Sequence, residues 1–129
     1  MRFLHTSITV KDMDESIRFY TDVLGLTFER RRKIPENKAE IAFVHDPESG
    51  GRVELTYWGG KGSFDAGEQL DHLAFEVGDM DVFLARARTQ SVRVAKEPFT
   101  LAGGSGRIAF ILDPNEVWIE LIEHRPSDR

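Results

Sequence analysis

The chain repeats itself, and that repetition limits its fold more than any other property. His5, Asp12, Met13, Asp14 and the run Ile41-Ala42-Phe43-Val44 return as His72, Asp79, Met80, Asp81 and Ile108-Ala109-Phe110-Ile111, each 67 residues later. Glu54 returns as Glu120, 66 residues later. The register therefore slips by one residue, and the slip falls in the Asp-Pro turn between the blocks. Blocks kept in order with one short deletion mark a duplication, of about residues 1–66 in 67–129, in which one supersecondary unit is used twice. At 129 residues the chain is expected to be a single domain, too short for separate cofactor and substrate modules.

Each copy reads as strand, helix, then strands. Leu4, Ile8 and Val10 alternate with His5, Ser7 and Thr9, and Leu73, Phe75 and Val77 alternate with His72, Ala74 and Glu76, so each histidine lies on the more polar face of its strand. Asp12 with Glu15 three residues on resembles a capping box. Met13, Ile17, Tyr20 and Leu24 then give an apolar helical stripe stopped by Gly25. Met80, Phe83, Leu84 and Ala87 repeat that spacing. Ile41–Val44 and Ile108–Leu112 read as strands turned at Asp46-Pro47 and Asp113-Pro114, with return strands Val53–Trp58 and Val117–Ile122. The expected fold class is α+β: two tandem βαβββ modules forming an open barrel-like cleft with the helices outside. Gly59 to Gly62 and Gly103 to Gly106 read as loops, and the second lacks the Lys-Ser/Thr ending of a phosphate-binding loop.

Composition narrows the chemistry. There are 17 Lys and Arg against 22 Asp and Glu, a net charge of −5, which argues against nucleic acid or an anionic membrane as partner. No stretch approaches the roughly 18 apolar residues of a membrane span, and no secretory leader is evident, so the expected location is the cytoplasm. The absence of cysteine removes disulfides, thiol nucleophiles and thiolate metal sites. Any metal must be held by histidine and carboxylate.

Each return strand carries one glutamate among apolar residues, so each copy presents one imidazole and one carboxylate: His5 with Glu54, His72 with Glu120. Related by a pseudo-two-fold, these four would converge as two nitrogen and two oxygen donors, a set suited to a divalent first-row metal. The alternative is that each His/Glu pair only hydrogen-bonds within itself. His45 and His124 fall outside the repeat pattern and are expected to be solvated. The run Arg30-Arg31-Arg32-Lys33 is either a solvated strand end or an entrance patch for an anionic substrate.

The chain resembles the glyoxalase I family of the vicinal-oxygen-chelate superfamily over essentially residues 1–124. The resemblance is carried by Leu4-His5-Thr6, by residues Ser16 to Gly25 on the first helix, by Ile41-Ala42-Phe43-Val44 and by Val53-Glu54-Leu55-Thr56-Tyr57. In the second half it is carried by Asp71-His72-Leu73-Ala74, Asp113-Pro114-Asn115 and Ile119-Glu120-Leu121-Ile122. The order His, Glu, His, Glu separates it from related thioester epimerases, which typically have glutamine in place of Glu54, and from ring-cleaving dioxygenases, which use two His and one Glu.

The resemblance implies a metal held by His5, Glu54, His72 and Glu120. Nickel or cobalt is favoured, because the longer insertions of zinc-type members are missing, with zinc as the other choice. It implies a homodimer in which His5 and Glu54 of one chain meet His72 and Glu120 of the other. The implied reaction isomerises the methylglyoxal–glutathione hemithioacetal to S-lactoylglutathione. A proton must leave the carbon beside a carbonyl, and negative charge must be held on two adjacent oxygens. Glu120 is the expected main base, with Glu54 opposite. Two departures matter: Thr9 stands where the family has a glutathione-binding arginine, and Trp58-Gly59-Gly60 replaces an expected asparagine. A related enzyme acting on another substrate, or a small-molecule binding protein on the same fold, are the alternatives.

Overall fold

The computed structural model describes residues 1–60, 63–65, 67–100 and 106–124. Gly62, Gly103 and Gly104 of the expected glycine loops lie outside the described residues. The chain divides into two compact units, Met1–Asp65 and Ala66–Arg129.

The first unit runs β1 (Thr6–Thr9), α1 (Met13–Arg18), β2 (Thr27–Ile34), β3 (Ala39–His45) and β4 (Arg52–Trp58). The second runs β5 (Leu73–Glu76), α2 (Met80–Thr89), β6 (Arg93–Phe99), β7 (Arg107–Leu112) and β8 (Trp118–Glu123). Strand order is β1-β4-β3-β2 in one sheet and β5-β8-β7-β6 in the other. In each, the first strand runs parallel to the last and the remaining pairs are antiparallel. The α+β class and the two βαβββ modules are those expected from the repeat.

One face of each sheet is closed by its helix. Ile8, Val10, Ala42, Val44, Val53 and Leu55 are buried with Met13 and Tyr20 in the first unit. Val77, Ala109, Ile111, Ile119 and Leu121 are buried with Met80, Leu84 and Ala87 in the second. Full burial of a branched aliphatic side chain contributes about 1.5–3 kcal/mol, and strand alternation turns every second residue to the other face. Leu4 does not join the apolar face; it is 62% exposed, ahead of the first paired residue.

The helix starts follow the sequence. Asp12 accepts from the Glu15 amide at 2.9 Å and Asp79 from the Val82 amide at 3.1 Å, each pairing a donor that the first helical turn leaves free. The first helix departs from a regular stripe: after Arg18 it widens into a π turn, Phe19–Val23. Phe19 and Tyr20, consecutive in sequence, are both buried, with ring centres 5.2 Å apart edge to face, while Ile17 and Leu24 are only half-buried. A wider turn changes the angle between successive side chains, which a 3.6-residue period cannot anticipate. Gly25 closes the segment at φ +77, the left-handed conformation that a side chain disfavours.

The one-residue slip of the repeat falls where expected. His45 pairs with Arg52 across a connection of six residues, Asp46 to Gly51, and Leu112 pairs with Trp118 across five, Asp113 to Val117. In both turns the aspartate carboxylate accepts backbone N–H groups, from Glu48 and Ser49 in the first and from Asn115 and Val117 in the second. Despite the different lengths, Phe43 pairs with Glu54 and Phe110 with Glu120.

Candidate metal centre

In the first unit Glu54 sits on β4 between Ser7 of β1 and Phe43 of β3. His5, the residue before β1, reaches the same face: its ring meets Phe43 edge on, centres 5.2 Å apart. Its Nε2 lies 3.9 Å from Glu54 Oε2, beyond hydrogen-bond length. The His5 Nδ1 is buried and has no hydrogen-bond partner among the described residues. Thr56 Oγ1 donates to Glu54 Oε1 at 3.2 Å, and the Ser7 hydroxyl is 2.9 Å from Thr56 Oγ1.

The second unit repeats the frame with different surroundings. Glu120 sits between Ala74 and Phe110, His72 meets Phe110 edge on at 6.0 Å, and His72 Nε2 is 3.3 Å from Glu120 Oε1. Ala74 and Ile122 stand where the first unit has Ser7 and Thr56, so Glu120 has no hydroxyl beside it at those places. His72 has a carboxylate on its other side: Nδ1 lies 2.7 Å from Asp71 Oδ1. That bond is the main cause holding the His72 pKa above the ordinary imidazole value, with partial burial opposing it and Glu120 adding to it. A carboxylate on Nδ1 favours the proton there, which would leave Nε2 as the nitrogen offered to a metal, as outer partners of metal-binding histidines do.

Among the described residues no group of three or more His, Asp or Glu gathers to hold a metal; each unit offers two donors. The donors fit a divalent cation in kind. Two ligands on one such ion stand about 3–3.5 Å apart, given bonds near 2.1 Å, close to the His72–Glu120 separation. The His5 imidazole, with one nitrogen orphaned and the other too far from Glu54 to bond it, is not explained by a hydrogen-bonded pair alone.

The basic run divides. Arg31 turns to the helix face, bonding Asp14 of α1 and, at 2.8 Å, Glu40. Arg30 pairs with Phe43 on the face that holds Glu54, its guanidinium 4.9 Å from the ring centre. His45 is not simply solvated: its Nδ1 stands 3.0 Å from Glu29 Oε1, and Glu29 also takes the Arg52 guanidinium at 2.7 Å. The bond from Arg52 is the first cause of the lowered Glu29 pKa. His124 is 3.7 Å from Glu76 and more than one-third exposed.

The sequence alone assigns no site role to Asp71, Thr56, Ser7 or the Phe43/Phe110 pair. Asp71 was visible as the neighbour of His72. Phe43 and Phe110 were visible as repeat mates. Ser7 and Thr56 gave no such signal, because their repeat mates are apolar.

A duplicated βαβββ module that places one imidazole and one carboxylate on each sheet defines a class of paired-module α+β proteins. Residues 2–121 match the family model described as Glyoxalase/Bleomycin resistance protein/Dioxygenase superfamily, and the chain belongs to that superfamily. Within it the chain is similar to glyoxalase I enzymes. It is 41% identical over 131 residues to the lactoylglutathione lyase of Salmonella typhimurium, covering 100% of this chain and 97% of that protein. It is 39% identical over 128 residues to lactoylglutathione lyase GLX1 of Arabidopsis thaliana, covering 98% of this chain but 45% of that protein. Thus it spans nearly all of the bacterial relative and under half of the plant one. The crystal structure of glyoxalase I from Zea mays superimposes with a TM-score of 0.86 at 34% identity, over 95% of this chain and 44% of that one. The structure described as the trypanothione-dependent glyoxalase I of Leishmania major gives 0.82 at 35% identity, over 99% and 90%.

Proposed function

We propose that the chain is a lactoylglutathione lyase, turning the hemithioacetal of methylglyoxal and glutathione into S-lactoylglutathione. The observation that supports it is the His/Glu pair set at the same strand register in both units, His5 with Glu54 and His72 with Glu120. The four residues serve one divalent ion, nickel or cobalt in preference to zinc, in a homodimer whose sites each take one pair from either chain. The two units then work as one domain, in the cytoplasm. Bound there, the metal would supply positive charge for the two adjacent substrate oxygens.

Glu120 is the main base. It takes the proton from the hydroxyl-bearing carbon and returns it to the former carbonyl carbon, while the hydroxyl proton passes to the other oxygen. With Ala74 and Ile122 at its sides, the Glu120 carboxylate is untethered by any hydroxyl there and can swing toward the substrate. Glu54, bonded by Thr56, keeps its place on the opposite side of the site. His5 and His72 serve as neutral nitrogen donors, which soft and borderline divalent ions prefer to an all-carboxylate set.

Elemental analysis together with a hemithioacetal assay tests this. One equivalent of metal per four-donor set is expected, and it should be lost in His5→Ala and His72→Ala; unchanged metal in both variants would remove the metal from the proposal. Thr9, which cannot give a carboxylate the paired, permanent charge of an arginine, favours a second reading: the same proton transfer on another α-hydroxycarbonyl or a thioester. Inactivity toward the glutathione adduct with nickel, cobalt and zinc alike would select that reading, or a binding protein if no metal is found.

A further inference from the structure

Strand alternation sorts the three arginines of β2 into different jobs. Arg31 is held on the helix side by Asp14 and Glu40. Arg30 pairs with Phe43, and Phe43 pairs with Glu54 on the next strand, so Arg30 shares a face and a register line with a residue of the candidate site. Phe43 is only 3% exposed, and the Arg30 guanidinium lies over its ring. Arg52 lies over the same ring at 4.1 Å, but its Nε and Nη2 donate to Glu29 in three contacts of 2.7–3.1 Å, so its charge is already paired with a carboxylate. Arg30 has no ion-pair partner among the described residues. Arg32, on the same face opposite Ile41, has neither a carboxylate nor a ring contact among them to fix it.

A guanidinium stacked on a buried ring is pre-organised, and its edge donors stay open for a planar anion. Resting on the reading under Proposed function, we propose that Arg30 binds a carboxylate of the thiol part of the substrate. It supplies from β2 the cation that Thr9 does not supply from β1. Successive cross-strand neighbours are about 4.8 Å apart, which puts the Arg30 and Glu54 backbones roughly 10 Å from each other. In a tripeptide thiol, the chain beyond the sulfur reaches a carboxylate over about two residues, roughly 7 Å. The reacting carbon can therefore lie near Glu54 while that carboxylate meets the long Arg30 side chain.

The experiment compares wild type, Arg30→Met and Arg31→Met, each loaded with metal, using S-methylglutathione and its diethyl ester as calorimetric probes and the hemithioacetal as substrate. Arg31→Met removes the same charge from the opposite face and serves as the control for long-range attraction. The expected result is a loss of about tenfold or more in S-methylglutathione affinity for Arg30→Met alone. The ester should bind wild type and Arg30→Met alike, and KM for the hemithioacetal should rise more than kcat falls. Lysine at the same position should restore part of the affinity, through charge without the planar fork. Equal losses in Arg30→Met and Arg31→Met would reduce Arg30 to a contributor to net charge and overturn the proposal. So would equal binding of acid and ester by wild type. A wild type that turns over the hemithioacetal, with Arg30→Met unaffected, would sink the arginine and leave the enzyme assignment standing. A wild type that neither binds the acid nor turns over the adduct would sink both.

Discussion

Thr56 donates a hydrogen bond from its hydroxyl to the Glu54 carboxylate at 3.2 Å, and it is itself 7% exposed. Ser7, 2.9 Å behind it, completes a short chain of hydroxyls that ends on one oxygen of Glu54. The duplication kept the glutamate in both copies and kept this support in only one.

Removing the hydroxyl tests its importance. Thr56→Val keeps the branched shape but leaves Glu54 without this donor, and such outer partners are worth about 10- to 100-fold in metal affinity. Nickel titration of metal-free Thr56→Val should show a loss in that range, with little change in melting temperature. Wild-type affinity would mean that Glu54 needs no support.

Asp71 makes His72 a pH-sensitive group. Its bond is the first cause of the raised His72 pKa, so the imidazolium is favoured in the folded state. The resulting stability is fully present below the unfolded imidazole value, near 6.5, and is lost as pH rises through the folded value. In metal-free protein, Asp71→Asn should therefore lower the His72 pKa in an NMR titration. The stability gap between wild type and variant should be widest in mild acid and close above neutrality. A gap that widens toward alkaline pH would refute the assignment.

Acid should act through Glu123. Arg107 is the first cause of its lowered pKa and the Met80 amide the second, with bonds of 2.9 and 2.7 Å. A lowered carboxylate pKa stabilises the fold above the unfolded value, near 4.3, and that contribution disappears as pH falls through the folded value. Glu123→Gln keeps an acceptor for the Met80 amide and loses only the solvent-screened charge pairing with Arg107, so it should cost up to about 1 kcal/mol at neutral pH. It should also flatten the loss of stability below about pH 4, read from urea unfolding at a series of pH values.

Shared sites can be tested by mixing inactive chains. His5→Ala damages one pair and Glu120→Ala the other. In a dimer with sites built across chains, the mixture should regain one intact site per heterodimer, seen as metal bound and hemithioacetal turnover. Sedimentation of a fully metal-loaded monomer would remove the shared-site arrangement.

The duplication, the succession of elements along each module and the two His/Glu pairs were legible because each rests on a period or a spacing: two along a strand, 67 along the chain. What was not legible depends on contacts that no period encodes. The π turn at Phe19–Val23 replaces a stripe that the sequence presents as regular. His45 reads as a turn residue, yet Glu29, in a bulge of β2, reaches it, and bulges shift register where the pattern gives no warning. The split of Arg30 from Arg31 was readable in principle from alternation, but only once β2 was known to be a strand through the whole basic run.

The two Asp-Pro connections differ by one residue, yet each glutamate still faces its phenylalanine. Length at these tips is therefore an editable property of the chain. A peptide spliced in after Glu48 would leave the ladder register on either side intact, making the tip a place for a reporter or an epitope. A single residue added between Thr6 and Thr9 would do the opposite, because strand parity would exchange polar for apolar side chains along the edge of the site.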